Sequence, residues 1–246
     1  MMAPMFRELF LDPLRESRRA GVRVGDLVVA PFLEGAPSAS GGAAATRAQL
    51  EGVLATMDLV LDAAGAMRSE VIRVTFFLRD VLERPILNSV WEEAFPDPAA
   101  RPPHKYVPAR LLGEGVRVAI GVLALVGASA QVLTIPDVAH VDPMSMGQRS
   151  GNVVTSSRLF AAEDDVETQL TRLLERARLL LSAAGGELSD LTQATFFVGT
   201  PEIAEAVDAR WQAGWSPSEE PPVLHVIEAD LGGGNGLPRV EILGLL

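Results

Sequence analysis

The chain has 246 residues, 48% of them apolar, and a formal net charge of −11. The apolar share supports packed cores and excludes wholesale disorder, and the length suits two domains of about 100–150 residues each. The lack of cysteine excludes disulfides, thiol nucleophiles and thiolate zinc sites, and the acidic balance argues against nucleic-acid binding.

The opening "MMAPMFRELFLDPLRESRRAG" has neither a long apolar run nor a small-residue cleavage pattern, so no secretory signal is expected and the expected location is the cytoplasm. "GVRVGDLVVAP" then reads as a hairpin turning at Gly25-Asp26. Leu50, Val53, Leu54, Met57, Leu61 and Ala64 recur at the three-and-four spacing of one helix face, and Gly65 stands where a left-handed C-cap is wanted. A strand, "VIRVTFFLRD", and a shorter helix, "ILNSVWEEAF", follow. The proline-rich stretch "PDPAARPP" ends that helix, and the strands "HKYVPARLL" and "VRVAIGVLALV" come after it. "VRVAIGVLALVGASAQVLTI" is the one apolar run near membrane length. Its arginine, glutamine and small residues fit two strands and a turn better than a span, so no membrane partner is expected.

The same order then repeats. Thr75-Phe76-Phe77 recurs as Thr195-Phe196-Phe197, Ala63-Ala64-Gly65 as Ala183-Ala184-Gly185, Gln49 as Gln169 and Trp91 as Trp211, all at an offset of 120. Leu170, Leu173, Leu174, Ala177, Leu181 and Ala184 repeat the helix face, with Gly185 after it and the acidic "EDDV" before it. "RSGNVVTSSRLF" repeats the hairpin, "LTQATFFVGT" the strand, "IAEAVDARWQAGW" the short helix, and "VLHVIEADL" with "LPRVEILGLL" the closing strands. Each copy therefore reads strand–strand–helix–strand–helix–strand–strand, an α+β unit with one mixed sheet and two helices on one face. The join falls within residues 128–144, and the domains are taken as residues 1–128 and 129–246.

Several of these segments resemble the Rid (YjgF) family of enamine/imine deaminases, once called L-PSP endoribonucleases. They are "SRRAGVRVGDLVVAP", "QLEGVLATMDLVLDAAGAMRSEVIRVTFFLRD", "NSVWEEAF" and the closing "RVEILGLL". The resemblance covers nearly the whole chain, twice, and implies two tandem Rid-like (chorismate-mutase-like) units. It also implies a homotrimer of chains carrying six such units, clefts between units, a small-molecule substrate, and no metal or organic cofactor. Active members hold the substrate carboxylate with an arginine in a P-A-R motif and handle the hydrolytic water with a glutamate in V-E-I-E. A backbone-lined S-G-Q segment and an Asn or Tyr complete the cleft.

Carried over by position, the motif arginine falls on His104 in the first copy, and the next cleft-facing position is Tyr106, the only tyrosine in the chain. The glutamate falls on Ala119 and the S-G-Q segment on Pro31-Phe32-Leu33, while Asn88 is kept. In the second copy the arginine position is Leu224, the glutamate is kept as Glu241, the S-G-Q segment becomes Ser156, Ser157 and Arg158, and Asp208 takes the asparagine's place. The nearby Pro108-Ala109-Arg110 is six residues out of register with the motif. Strand alternation puts His104 and Tyr106 on one face and turns Lys105 toward solvent or an interface. His225 alternates away from Leu224, His140 lies in the join, and Gly232–Gly236 reads as a hairpin turn.

The expected catalytic residues are thus His104, Tyr106 and Glu241, with Asn88, Ser156, Ser157, Arg158 and Asp208 binding substrate. The expected function is hydrolysis, deamination or proton transfer on a small imine, enamine or related carbonyl metabolite. Two alternatives stand beside it: a catalytically inert ligand-binding or scaffold protein, and a chorismatase-like hydrolase. The latter would want a longer chain and several basic residues for a dicarboxylate, and the sequence shows too few.

Overall fold

The computed structural model describes residues 6–9, 20–109, 112–136, 138, 143, 145–161, 165–215, 220–229 and 237–246. The first unit runs β1 (Phe6–Leu9), β2 (Gly21–Val24), β3 (Leu27–Glu34), α1 (Ala43–Ala64), β4 (Val71–Leu78), α2 (Arg84–Ala94), β5 (His104–Pro108) and β6 (Val118–Leu125). The second runs β7 (Ala130–Leu133), β8 (Gly147–Ser150), β9 (Val153–Ser156), α3 (Val166–Ala183), β10 (Leu191–Val198), α4 (Pro201–Ala213), β11 (Val223–Glu228) and β12 (Arg239–Leu245). The two sheets have the same strand order, β1-β2-β3-β6-β4-β5 and, read from its other edge, β7-β8-β9-β12-β10-β11. In each, only the β4–β5 or β10–β11 pair is parallel, joined through the short helix as a crossover requires.

One feature of each unit differs from the sequence reading. β1 and β7 are additional opening strands, pairing antiparallel with β2 and β8 at the sheet edges. The four-residue β1 carries too little apolar alternation to stand out, whereas β7 is the second of the two strands expected in the run at 116–135 and falls within the stretch assigned to the join. The remaining elements follow the expected order, and the run at 116–135 is two strands. No helix among the described residues is long and apolar enough to cross a membrane.

The helices bury the predicted faces. Leu50, Val53, Leu54, Met57, Leu61 and Ala64 of α1 are all buried against the first sheet, and Trp91 of α2 meets Phe76 of β4 edge-on at 5.4 Å. Trp211 and Phe196 repeat that contact at 6.1 Å. An arginine staples hairpin to helix in both units. Arg23 donates to the carbonyls of Gly25 and Ala64, and Arg149 donates to those of Gly151 and Ala184. Each guanidinium thereby satisfies a carbonyl at a helix C-terminus, where positive charge is favourable. Gly65 and Gly185, at φ 70° and 84°, make the left-handed exits that the staple accompanies.

The face of β4 turned away from its helices meets β8 and β9 of the other unit. A bulge between Val71 and Arg73 leaves Ile72 without a register partner on β6. The second unit supplies the missing bonds: Thr155 Oγ1 donates to the Ile72 carbonyl at 2.6 Å, and Gln148 Nε2 to the Val71 carbonyl at 3.1 Å. Both donors are buried. Thr155→Val removes one donor and strands a buried carbonyl, so urea unfolding is expected to show a loss of about 1–3 kcal/mol. An unchanged midpoint would show that this bond does not hold the units together.

Candidate functional site at the junction of the two sheets

Register decides which side chains can meet. His104, Lys105 and Tyr106 of β5 lie beside Val74, Thr75 and Phe76 of β4. Parallel partners share a face, so His104 and Tyr106 point toward the helices and Lys105 points toward the other unit. On β12, Glu241 lies opposite Thr195, and Arg239 opposite Phe197. After β9 the chain returns to β12 through a two-hydrogen-bond bridge between Leu159 and Val240. That bridge sets Arg158 beside Glu241 and Phe160 beside Arg239, on the face away from the second core.

These placements gather one carboxylate, one phenol and five cations. Glu241, 2% exposed, accepts from Arg73 Nη1 at 2.6 Å and pairs with Lys105 Nζ, both from the first unit. Burial pushes the Lys105 ammonium below its ordinary pKa. Glu241 opposes that shift, while Arg73 and Arg158 add to it. The Tyr106 hydroxyl accepts from Arg84 Nη1 at 3.0 Å, and the Arg158 guanidinium lies 4.5 Å from the centre of the Tyr106 ring. Burial alone would raise the phenol's pKa, but the Arg84 hydrogen bond and the charges of Arg158, Arg84 and Arg239 outweigh it, and the net direction is down. Phe197 carries Arg158 at 5.5 Å and Lys105 at 5.1 Å, and Arg239 lies 5.3 Å from the Phe160 ring.

The charge is unbalanced. Among the described residues, neither Arg158 nor Arg239 contacts a carboxylate, and Arg158 Nη1 and Arg239 Nε are buried without a hydrogen-bond partner. Burial pushes the Arg158 guanidinium down to about 10, with Tyr106 partly restoring it and Arg239 pushing it further. It stays cationic at neutral pH. In the first unit, the residue corresponding to Arg239 is Arg117, and its charge is answered by Glu83 at 2.5 Å.

Arg158 meets two of the other expected residues: it stands beside Glu241 across the Leu159–Val240 bridge, and its guanidinium lies over the Tyr106 ring at the edge of the first core. The structure does not bring His104 to them. His104 is fully buried in the first core, 4.8 Å from the Trp91 ring and 5.6 Å from that of Phe76, on the opposite side of β5 from Glu241. Ser156 Oγ accepts from the Ile242 amide and Ser157 bonds the Met146 carbonyl, so both serines tie strands together. Asn88 is half-buried on α2, one turn after Arg84 and one before Trp91, and Asp208 is exposed on α4. Ala119, at the first unit's glutamate position, lies under Phe77 with Leu112 and Val116. Leu224 packs on the second core, and His225 Nδ1 lies 3.3 Å from Gln193 Nε2. Arg110, His140 and Gly232–Gly236 fall outside the described residues.

Arg73, Arg84 and Arg239 join the cluster without being among the expected site residues, and Lys105, expected toward solvent or an interface, joins it from β5. Arg239 had a signal, standing two residues before Glu241 on the same strand face. Arg84 and Arg73 had none, since only tertiary packing brings them there. A separate cavity of about 490 Å³ lies between residues 37–41 and Arg79, Glu114 and Arg117. Its arginines are already committed, Arg79 to the carbonyls of Leu112, Gly113 and Val116.

Residues 22–126, from β2 through β6 and the turn after it, match the family model described as Endoribonuclease L-PSP. The first unit is a Rid-family domain. The second unit repeats its strand order and its helix staple. Rid-family structures align with half of the chain. A member of the YjgF/YER057c/UK114 family from Mycobacterium tuberculosis is 25% identical over 50% of this chain and 100% of its own, with TM-score 0.41. RidA from an Antarctic Psychrobacter is 20% identical over 47% of this chain and 98% of its own, with TM-score 0.42. A chorismatase aligns across both units, covering 91% of this chain and 76% of its own at TM-score 0.62 and 14% identity, a likeness of fold. No curated protein matches the sequence.

The single tyrosine makes the cluster's electrostatics directly readable. In an absorbance titration the Tyr106 phenolate is expected to form below the ordinary phenol pKa, because the arginines favour the anion. Arg84→Gln removes a donor and a charge and is expected to move that midpoint up. An unshifted midpoint in the variant would contradict the described contact.

Proposed function

We propose that the chain is an enzyme acting at the junction of its two units on a small carboxylate-bearing imine, enamine or related carbonyl compound. The observation that carries this reading is a pair of half-buried guanidiniums, Arg158 and Arg239, each with a buried nitrogen that has no hydrogen-bond partner and neither in contact with a carboxylate among the described residues. A buried uncompensated charge costs several kcal/mol, by about the amount that makes such groups rare. An anionic ligand seated between them would supply the missing partner, with charge-assisted and bidentate bonds.

The chemistry follows from what stands beside that anion. Protonation of an enamine at its β-carbon, or of an imine at nitrogen, develops positive charge that a water then quenches. Glu241 is placed to stabilise that cation and to accept the water's proton, and Tyr106 to orient the ligand through its hydroxyl. His104 takes no part in this scheme, since it lies across the strand in the core.

A second reading, a chorismatase-like hydrolase, is favoured by the number of cations. Motif positions in the sequence offer few basic residues, but Arg73, Arg84, Lys105, Arg158 and Arg239 assemble from both units, enough for a dicarboxylate. Enol-ether hydrolysis begins with the same protonation at carbon, so the two readings share that protonation, a water and a carboxylate grip. They differ in how many carboxylates must be held.

The assay is release of ammonia from freshly generated 2-iminopropionate and release of pyruvate from chorismate, each with wild type, Glu241→Gln and Arg158→Gln. Turnover of either substrate is expected, with losses of about 10²-fold or more in both variants. Turnover of chorismate alone selects the second reading. No turnover of either, with ligand binding intact, leaves a binding protein and sinks both enzymatic readings.

A further inference from the structure

Of the 21 Lys and Arg residues in this chain, one is lysine, and it is Lys105. It is also buried, at 9% exposure. Buried ion pairs are ordinarily better served by arginine, with its planar fork and weak hydration, and arginine holds every other cationic position of the chain. What lysine alone offers is an amine that can lose its proton and act as a nucleophile. The surroundings suit that use. Nζ touches the Glu241 carboxylate, a base and acid within reach, and it lies over the same Phe197 ring that Arg158 covers from 5.5 Å. Arg158 and the amine thus share one aromatic neighbour, and the two charges act on each other.

We propose that Lys105 is a carbonyl-reactive amine that condenses with a small 2-oxo acid at the junction, forming a Schiff base. Lys105 Nζ gives a proton to Glu241 and its lone pair attacks the C2 carbonyl carbon. The carbonyl oxygen takes a proton from Glu241 as the nitrogen returns one, giving a carbinolamine. Glu241 then protonates the hydroxyl, water leaves, and C=N forms, with Glu241 again ionised. The net change is one ammonium and one ketone to one protonated imine and one water, with no oxidant or reductant. The downward push of burial on the ammonium assists the first transfer.

The inference rests on the proposed carboxylate grip, and the test separates the two. The full chain is incubated with pyruvate and cyanoborohydride, which reduces any imine to a stable secondary amine, and is then mapped by peptide mass spectrometry. The N-terminal amine is the internal comparison. The expected adduct lies on the Lys105 peptide, adds the mass of the acid less one oxygen, and is absent from Lys105→Arg. Arg158→Gln is expected to slow labelling by pyruvate about tenfold more than labelling by propanal, which has no carboxylate to grip and feels only the effect of the lost charge on Lys105. An adduct confined to the N-terminal amine in wild type overturns the proposal. An adduct on Lys105 in a chain that hydrolyses neither assay substrate upholds it and removes the proposed function. Hydrolysis of either substrate with no adduct does the reverse.

Discussion

The Glu241 carboxylate is the point on which both units depend. It is buried on β12 of the second sheet, and both of its cationic partners, Arg73 and Lys105, come from the first. Neither unit alone could bury this charge set without a large desolvation cost. Removing one partner from such a set is expected to cost about 3–5 kcal/mol, far more than an exposed ion pair is worth. The Thr155 and Gln148 hydrogen bonds to the β4 bulge reinforce the same contact. The sheets are thus joined through polar groups that each needs from the other, and the register of that joint fixes which side chains face the junction.

With Glu241 neutralised twice over, the remaining cations are in surplus. Arg158 and Arg239 lie over the aromatic rings of Tyr106, Phe197 and Phe160, which offer them some attraction but no countercharge. The chain as a whole carries −11, so this local positive field is set against a negative one. Such a field attracts anions only at short range, inside the junction. The divergence of the two copies has the same logic. The first unit closed its glutamate position with Ala119 under apolar cover and answered Arg117 with Glu83, while the second kept Glu241 and left Arg239 unanswered.

Much of the fold was legible in the sequence because the repeat printed each element twice. The helix faces, the Gly65 and Gly185 exits and the Phe–Trp contacts could be read from spacing alone. The opening edge strand β1 could not, since it is only four residues long. Within the site, Tyr106, Arg158 and Glu241 were reachable through motif position, because strand alternation is local. His104 was misplaced for a reason of the same kind: its position matches a ligand-binding arginine, yet here its register with Val74 directs it into the Trp91 core. Lys105, between two residues that drew attention, is the one that crosses to the other unit. Arg73 and Arg84 enter only through the packing of elements far apart in the chain, which no local pattern encodes.

The central claim is that the junction is built for an anion that the protein chain itself does not provide. The most direct measurement is the thermal unfolding midpoint in rising pyruvate, set against chloride at matched ionic strength, for wild type and Arg158→Gln. A ligand that binds only the folded state raises the midpoint with its concentration. A pyruvate-specific rise in wild type that Arg158→Gln abolishes is the predicted result. Equal midpoints in pyruvate and chloride, or the same rise in both proteins, would contradict it.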